Sequence, residues 1–208
     1  TGWFFLYLRG MKKITLAFLL LIIVNCKAQT PIINLNEWNG IVVPNSYLFD
    51  SEHDMEPFVG EYEFSQNGKY FRIKLIKSIN KYNGHYYEDM IIGEIEYAVG
   101  VNELVNTMGQ LNIIYPNQHN HSIAGYTILE NNNIPSCAEC LPNEKRMKLK
   151  INDTHVSGTI LVRRITVSGN PAIKIFKRSE PQYPPIRHGE TAIAPVIPDG
   201  WYTLLKIN

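Results

Sequence analysis

Hydrophobic and polar residues alternate with a period of two over most of the second half of this chain and much of its middle. In VGEYEFSQNGKYFRIKLIK (residues 59–77), Tyr62 and Phe64 alternate with Glu61, Glu63 and Ser65. Asn67-Gly68 then supplies a tight turn, and Phe71, Ile73 and Leu75 alternate with Arg72 and Lys74. Apolar runs of this period joined by Asn-Gly predict a β-hairpin. The run EDMIIGEIEYAV (88–99) places Ile91, Ile95 and Tyr97 opposite Glu94 and Glu96. LNIIYP (111–116) and IAGYTILE (123–130) predict short strands separated by the polar loop NQHNH.

From Arg146 to Arg178 the pattern predicts a meander. Met147, Leu149 and Ile151 alternate with lysines, Asn152-Asp153 marks a turn, and Val156 to Ile165 is rich in β-branched residues. Ser168-Gly169-Asn170-Pro171 turns again, and Ile173 and Ile175 flank Lys174. Val99 to Met108 is the one stretch with a claim to helix. Residues 181–198 carry five of the twelve prolines, which bars them from a central strand. They are expected to wrap the surface before GWYTLLKI (200–207) docks as a final strand. Seven to nine short antiparallel strands with one apolar face each must close on themselves, so the expected class is all-β, a lipocalin-like barrel or a sandwich.

The chain's start follows a different plan. Met11-Lys12-Lys13 is a short basic region, Ile14 to Val24 is apolar apart from Thr15, and small residues follow, which is the layout of a secretory signal peptide over residues 11–25. The apolar core falls short of the ~20 residues a membrane-spanning helix needs. Residues 1–10 precede Met11 and are read as an upstream translation artefact. Ile23-Val24-Asn25-Cys26 resembles a bacterial lipobox, which makes Cys26 the expected lipidation site. The lipobox pattern prefers a small residue where Asn25 stands. Cleavage after Ala28 is the competing outcome and would release a soluble protein beginning at Gln29. Residues 26–57, with Pro31, Pro44 and Pro57, are expected to form a tether and extended leader, and residues 58–208 a single β-rich domain.

The pieces NCKAQ, FVGEYEF and IPDGWYTLLK resemble an uncharacterised family of small exported lipoproteins from Bacteroidota, a domain of unknown function. That resemblance implies export and a β-rich domain, and no chemistry. Gly60-Glu61-Tyr62 also loosely resembles the Gly-x-Trp that opens a lipocalin-type barrel, with Tyr in place of Trp. KAQT after Cys26 lacks the acidic patch of surface-exposed lipoproteins in that phylum, which implies the periplasmic side of the outer membrane.

The whole-chain charge of +1 conceals an acidic mature protein. Setting aside Arg9, Lys12, Lys13 and Lys27 leaves 16 basic residues against 19 acidic ones. A net negative surface gives no electrostatic reason to bind nucleic acid.

Cys137-Ala138-Glu139-Cys140 is a C-x-x-C placed between NNNIPS and Leu141-Pro142, which suits a loop. In an oxidising compartment the expected outcome is a small structural disulfide, with redox-active or zinc-binding use as the alternatives. His119-Asn120-His121 is expected to be a solvated loop. Glu61 with Glu63, and Glu94 with Glu96, place carboxylates about 6.6 Å apart on one strand face. They alternate with apolar residues and are expected to face solvent. Tyr82, Tyr86 and Tyr87 in KYNGHYYED offer flat amphipathic rings and form a candidate contact loop.

No catalytic or metal-ligating set emerges, and no cofactor is expected. The functional expectation is a lipid-anchored periplasmic β-barrel that binds a small apolar ligand or an envelope protein. An envelope hydrolase with acids converging in a cleft, and a structural or inhibitory lipoprotein without a pocket, are the alternatives. An open apolar interior would favour a ligand. An interior filled by its own side chains would favour a partner.

Overall fold

The computed structural model describes residues 31–41, 43–130, 135–181 and 193–207. Eleven strands form one continuous sheet: β1 (Ile32–Asn34), β2 (Tyr47–Phe49), β3 (Gly60–Gln66), β4 (Lys69–Tyr82), β5 (Tyr87–Val99), β6 (Asn102–Asn106), β7 (Ile123–Leu129), β8 (Arg146–Asn152), β9 (Ser157–Val167), β10 (Asn170–Ser179) and β11 (Gly200–Lys206). Starting at β5, pairing runs through β4, β3, β11, β10, β9, β8 and β7 and returns to β5. Eight antiparallel strands therefore close a barrel, and the sandwich alternative falls. Closure removes the free edges that an open sheet of this length would expose. Among the described residues no helix is long and apolar enough to cross a membrane.

The hairpins form where the turn residues predict. Asn67 and Gly68 both take positive φ, as do Ser168 and Gly169. That backbone joins tightly paired strands without splaying them. Gly100 also has positive φ and returns the chain so that Asn102–Asn106 pairs with β5. The weak helical claim of residues 99–108 fails for this reason: a left-handed residue at its start converts it into a hairpin arm.

β5 is the organising strand. One side pairs with β4 along most of its length, while the other is shared by β2, β7 and β6 in turn. Its inward residues Ile91, Ile95 and Tyr97 join a core to which all eight barrel strands contribute, including Phe71, Ile73, Leu75, Leu149, Ile160, Ile175 and Leu204. Phe71 meets Tyr97 and Tyr202 edge-on, at 6.0 and 5.3 Å between ring centres. Each such side chain contributes roughly 1.5–3 kcal/mol by leaving water. The core side chains fill the barrel interior.

Buried charge closes each end of the barrel. At one end Asp50, from the segment before β3, accepts from Lys77 at 2.8 Å and from the backbone N–H groups of Asp54 and Met55. Asp89 accepts there from Tyr47 and from the Asp50 N–H. At the other end the buried Lys177 reaches Asp199 at 3.1 Å and Asp153 at 3.5 Å. Of residues 26–57, expected as a tether and extended leader, the part that carries β1, β2 and Asp50 belongs to the domain. Met55 is wholly buried in the core, and the compact unit begins at Ile32.

The expected strand at 111–116 does not form. Residues 107–122 lie as a loop against the outer face of β5, with Ile113 and Ile114 exposed.

Candidate functional site

The outer wall of β8–β11 carries a groove of about 620 Å³. Strand register builds its floor. Lys148 sits opposite Leu161, Leu161 opposite Phe176, and Phe176 opposite Trp201, so one row crosses four strands. These positions point outward because their neighbours Met147, Val162, Ile175 and Tyr202 point into the core. Trp201 is 63% exposed, and its ring centre is 4.9 Å from that of Phe176. On one side of the apolar row lie Arg163 and Lys174, which face each other across β9 and β10; on the other lie Thr159 and Arg178, paired in the same way.

The disulfide loop forms the groove's second wall. Cys137 and Cys140 are bonded. The loop is tied down by cations from the barrel. Arg146, although buried, donates to the carbonyls of Pro135 and Glu130. Arg163 donates to the Glu139 carbonyl at 2.6 Å and to the carboxylates of Glu139 and Glu144. Lys174 bonds Glu139 at 2.9 Å and lies over the Trp201 ring. The hydrogen bond and charge of Lys174, then those of Arg163, hold the Glu139 carboxyl below its ordinary range. Burial pushes Glu144 upward, but Arg163 and the Leu141 N–H outweigh it and lower its pKa.

The remaining candidates are dispersed. Tyr82 and Tyr87 pack together at 5.0 Å. Tyr86 instead points to Tyr126, hydroxyl to hydroxyl at 2.9 Å. Tyr126 meets Trp38 beside a smaller cavity of about 310 Å³. Burial, and then the Tyr86 hydroxyl, push the Tyr126 pKa upward. Cys26 lies outside the described residues.

Two expectations about charged residues are corrected. Glu61, Glu63, Glu94 and Glu96 do point away from the barrel interior, yet Glu61 and Glu94 are buried. Glu61 is held by Arg72 and Lys74. Glu94 lies beneath the 107–122 loop and bonds His121 at 2.7 Å, with both side chains fully buried. His119 likewise meets the buried Glu88 at 2.7 Å. The histidine loop is therefore fastened to the wall, not solvated. No spacing in the sequence announces this, because Glu88 and Glu94 stand six residues apart on β5 and the two histidines only two apart.

The fold and groove define a small closed-barrel protein with a groove of about 620 Å³ on the outer face of β8–β11. The chain belongs to a family of unknown function, DUF6705, whose model matches residues 11–206. Neither the curated proteins nor the solved structures contain a match to it.

Proposed function

We propose that this protein is an exported binding module, tethered to the outer membrane through Cys26 and facing the periplasm, whose barrel presents its outer wall to a protein partner. The observation that carries this reading is the position of free space. The interior is occupied by core side chains from every barrel strand, whereas the larger groove lies outside, under the disulfide loop. A lipocalin-style ligand would have to sit where these core side chains stand. The groove pairs an exposed indole with arginines, the residue types that dominate interface energetics.

The hydrolase alternative draws no support from the acid pairs. Glu61 and Glu94 are each engaged by a basic group or imidazole on the outer wall. The lipid tether rests on the lipobox-like Val24-Asn25-Cys26, and release after Ala28 is its rival.

The test is made in intact envelopes of cells making the full chain. A photo-crosslinking residue at Thr159, in the groove, is expected to trap one discrete partner. The same residue at Val101, 98% exposed and on the β5–β6 turn, is expected to trap none. The protein should fractionate with membranes, carry acyl groups on Cys26 by mass spectrometry, and become soluble as Cys26→Ala. Equal trapping at both positions would defeat the groove reading, and an unmodified start at Gln29 would defeat the tether.

A further inference from the structure

We infer that the groove takes an extended acidic peptide in which an aromatic or aliphatic side chain stands two residues from an aspartate or glutamate. This rests on the outer-wall reading above and names the chemistry of its partner.

The charge of the groove is the first support. Its lining holds five cations, Arg146, Lys148, Arg163, Lys174 and Arg178, against the single acid Glu139. This concentration of positive charge stands on a mature chain that is acidic overall, so the groove attracts negative segments that the rest of the surface repels.

The second support is what the groove already holds. Glu139 reaches in from the disulfide loop and places its carboxylate on Arg163 and Lys174. One cationic row is thereby satisfied from within the chain. Arg178, on the far side of the apolar row, and Lys148, at the β8 end of the row itself, are exposed, and among the described residues neither side chain has an ion-pair partner. A visiting carboxylate belongs there.

The third support is spacing. Successive outward positions on a strand lie about 6.6 Å apart, and an extended peptide repeats its own side chains at the same interval. A peptide laid along β10 with its acid at Arg178 therefore sets its next same-side residue over Phe176, Leu161 and Trp201. A neutral sugar fits less well, because it brings no negative charge to pair with Lys148 and Arg178. A single nucleic-acid strand would need a continuous track of free cations, and only two are unengaged.

The experiment is fluorescence anisotropy of the mature protein with a labelled heptapeptide, Thr-Asp-Thr-Phe-Thr-Asp-Thr. Its repeat places an acid at Arg178 in either chain direction. Binding is expected to fall about tenfold when Arg178→Gln and Lys148→Gln are combined, the sum of two exposed charge pairs. Trp201→Ala should weaken it by tenfold or more. Peptides with both Asp changed to Asn, or Phe changed to Gly, should lose the same factors, and added salt should weaken the parent peptide. Unaltered thermal unfolding of the variants shows that they fold.

Binding that ignores the Arg178/Lys148 pair overturns the proposal. So does capture of oligothymidylate or of phosphatidylglycerol vesicles without capture of the peptide. If Thr159 traps a partner in envelopes and the peptide still does not bind, the acidic-peptide assignment alone is wrong. If both fail, the outer-wall reading falls with it.

Discussion

Replacing His121 by alanine tests the account of the outer wall most severely. His121 and Glu94 are both fully buried, bonded Nδ1 to Oε1 at 2.7 Å. The Glu94 Oε2 atom has no hydrogen-bond partner among the described residues. His121 also approaches the Gln118 side chain at 3.3 Å and packs edge-on against Tyr115. Around it, Ser122 donates to the Thr107 hydroxyl, which in turn donates to the Ile95 carbonyl. Removing the imidazole strands a carboxylate in a sealed site, and deleting one partner of a buried pair costs about 3–5 kcal/mol. For a domain of this size each kcal/mol moves Tm by about 2–4 °C, so His121→Ala should melt roughly 6–20 °C below the parent.

The double variant Glu94→Met/His121→Leu removes the buried acid as well, and should recover most of that loss. Replacing a buried pair by apolar residues of similar size is often neutral or stabilising. Differential scanning calorimetry and urea unfolding give both numbers. If His121→Ala stays within 1 kcal/mol of the parent, or the double variant is worse than the single, the sealed pair does not exist as described.

Two further outcomes follow from local geometry. A Cβ at Gly93 would lie 2.5 Å from the Lys74 carbonyl oxygen and 2.7 Å from a Leu75 methyl. Gly93→Ala should therefore destabilise the protein by about 1–3 kcal/mol in urea unfolding, and an unchanged midpoint would show that β4 and β5 are not so close. Burial raises the Asp199 pKa, but the Ser179 N–H and hydroxyl and then Lys177 outweigh it and hold the carboxyl below the ordinary aspartate range. A lowered folded-state pKa contributes stability above the unfolded value, and that share is lost as pH falls through the folded one. Asp199→Asn should thus be less stable than the parent at pH 7, with the gap closing below about pH 4. A gap constant from pH 7 to 2.5 would contradict this.

The sequence alone settled what depends on neighbours along the chain. Tyr62, Phe64, Phe71, Ile73 and Leu75 alternate with charge and so fixed one face of each strand, and Asn67-Gly68 and Ser168-Gly169 fixed where strands reverse. That sufficed for an all-β chain with its apolar faces turned to a common core. Residues 99–108 misled because one positive-φ glycine outweighs a weak run of helix formers. Residues 111–116 misled because short apolar runs have no period of their own.

Tertiary structure decided the rest. Whether β5 would find β7 and close the barrel rests on a pairing remote in sequence, to which a period-two pattern is blind. Glu94 and Glu96 read alike in the chain, since both point outward; only the loop that lands on β5 buries one of them against His121. The groove is the same case, because Lys148, Leu161, Phe176 and Trp201 become a single row only through the register of four strands. Side-chain direction is a local property, whereas burial and assembly are properties of whatever arrives from elsewhere.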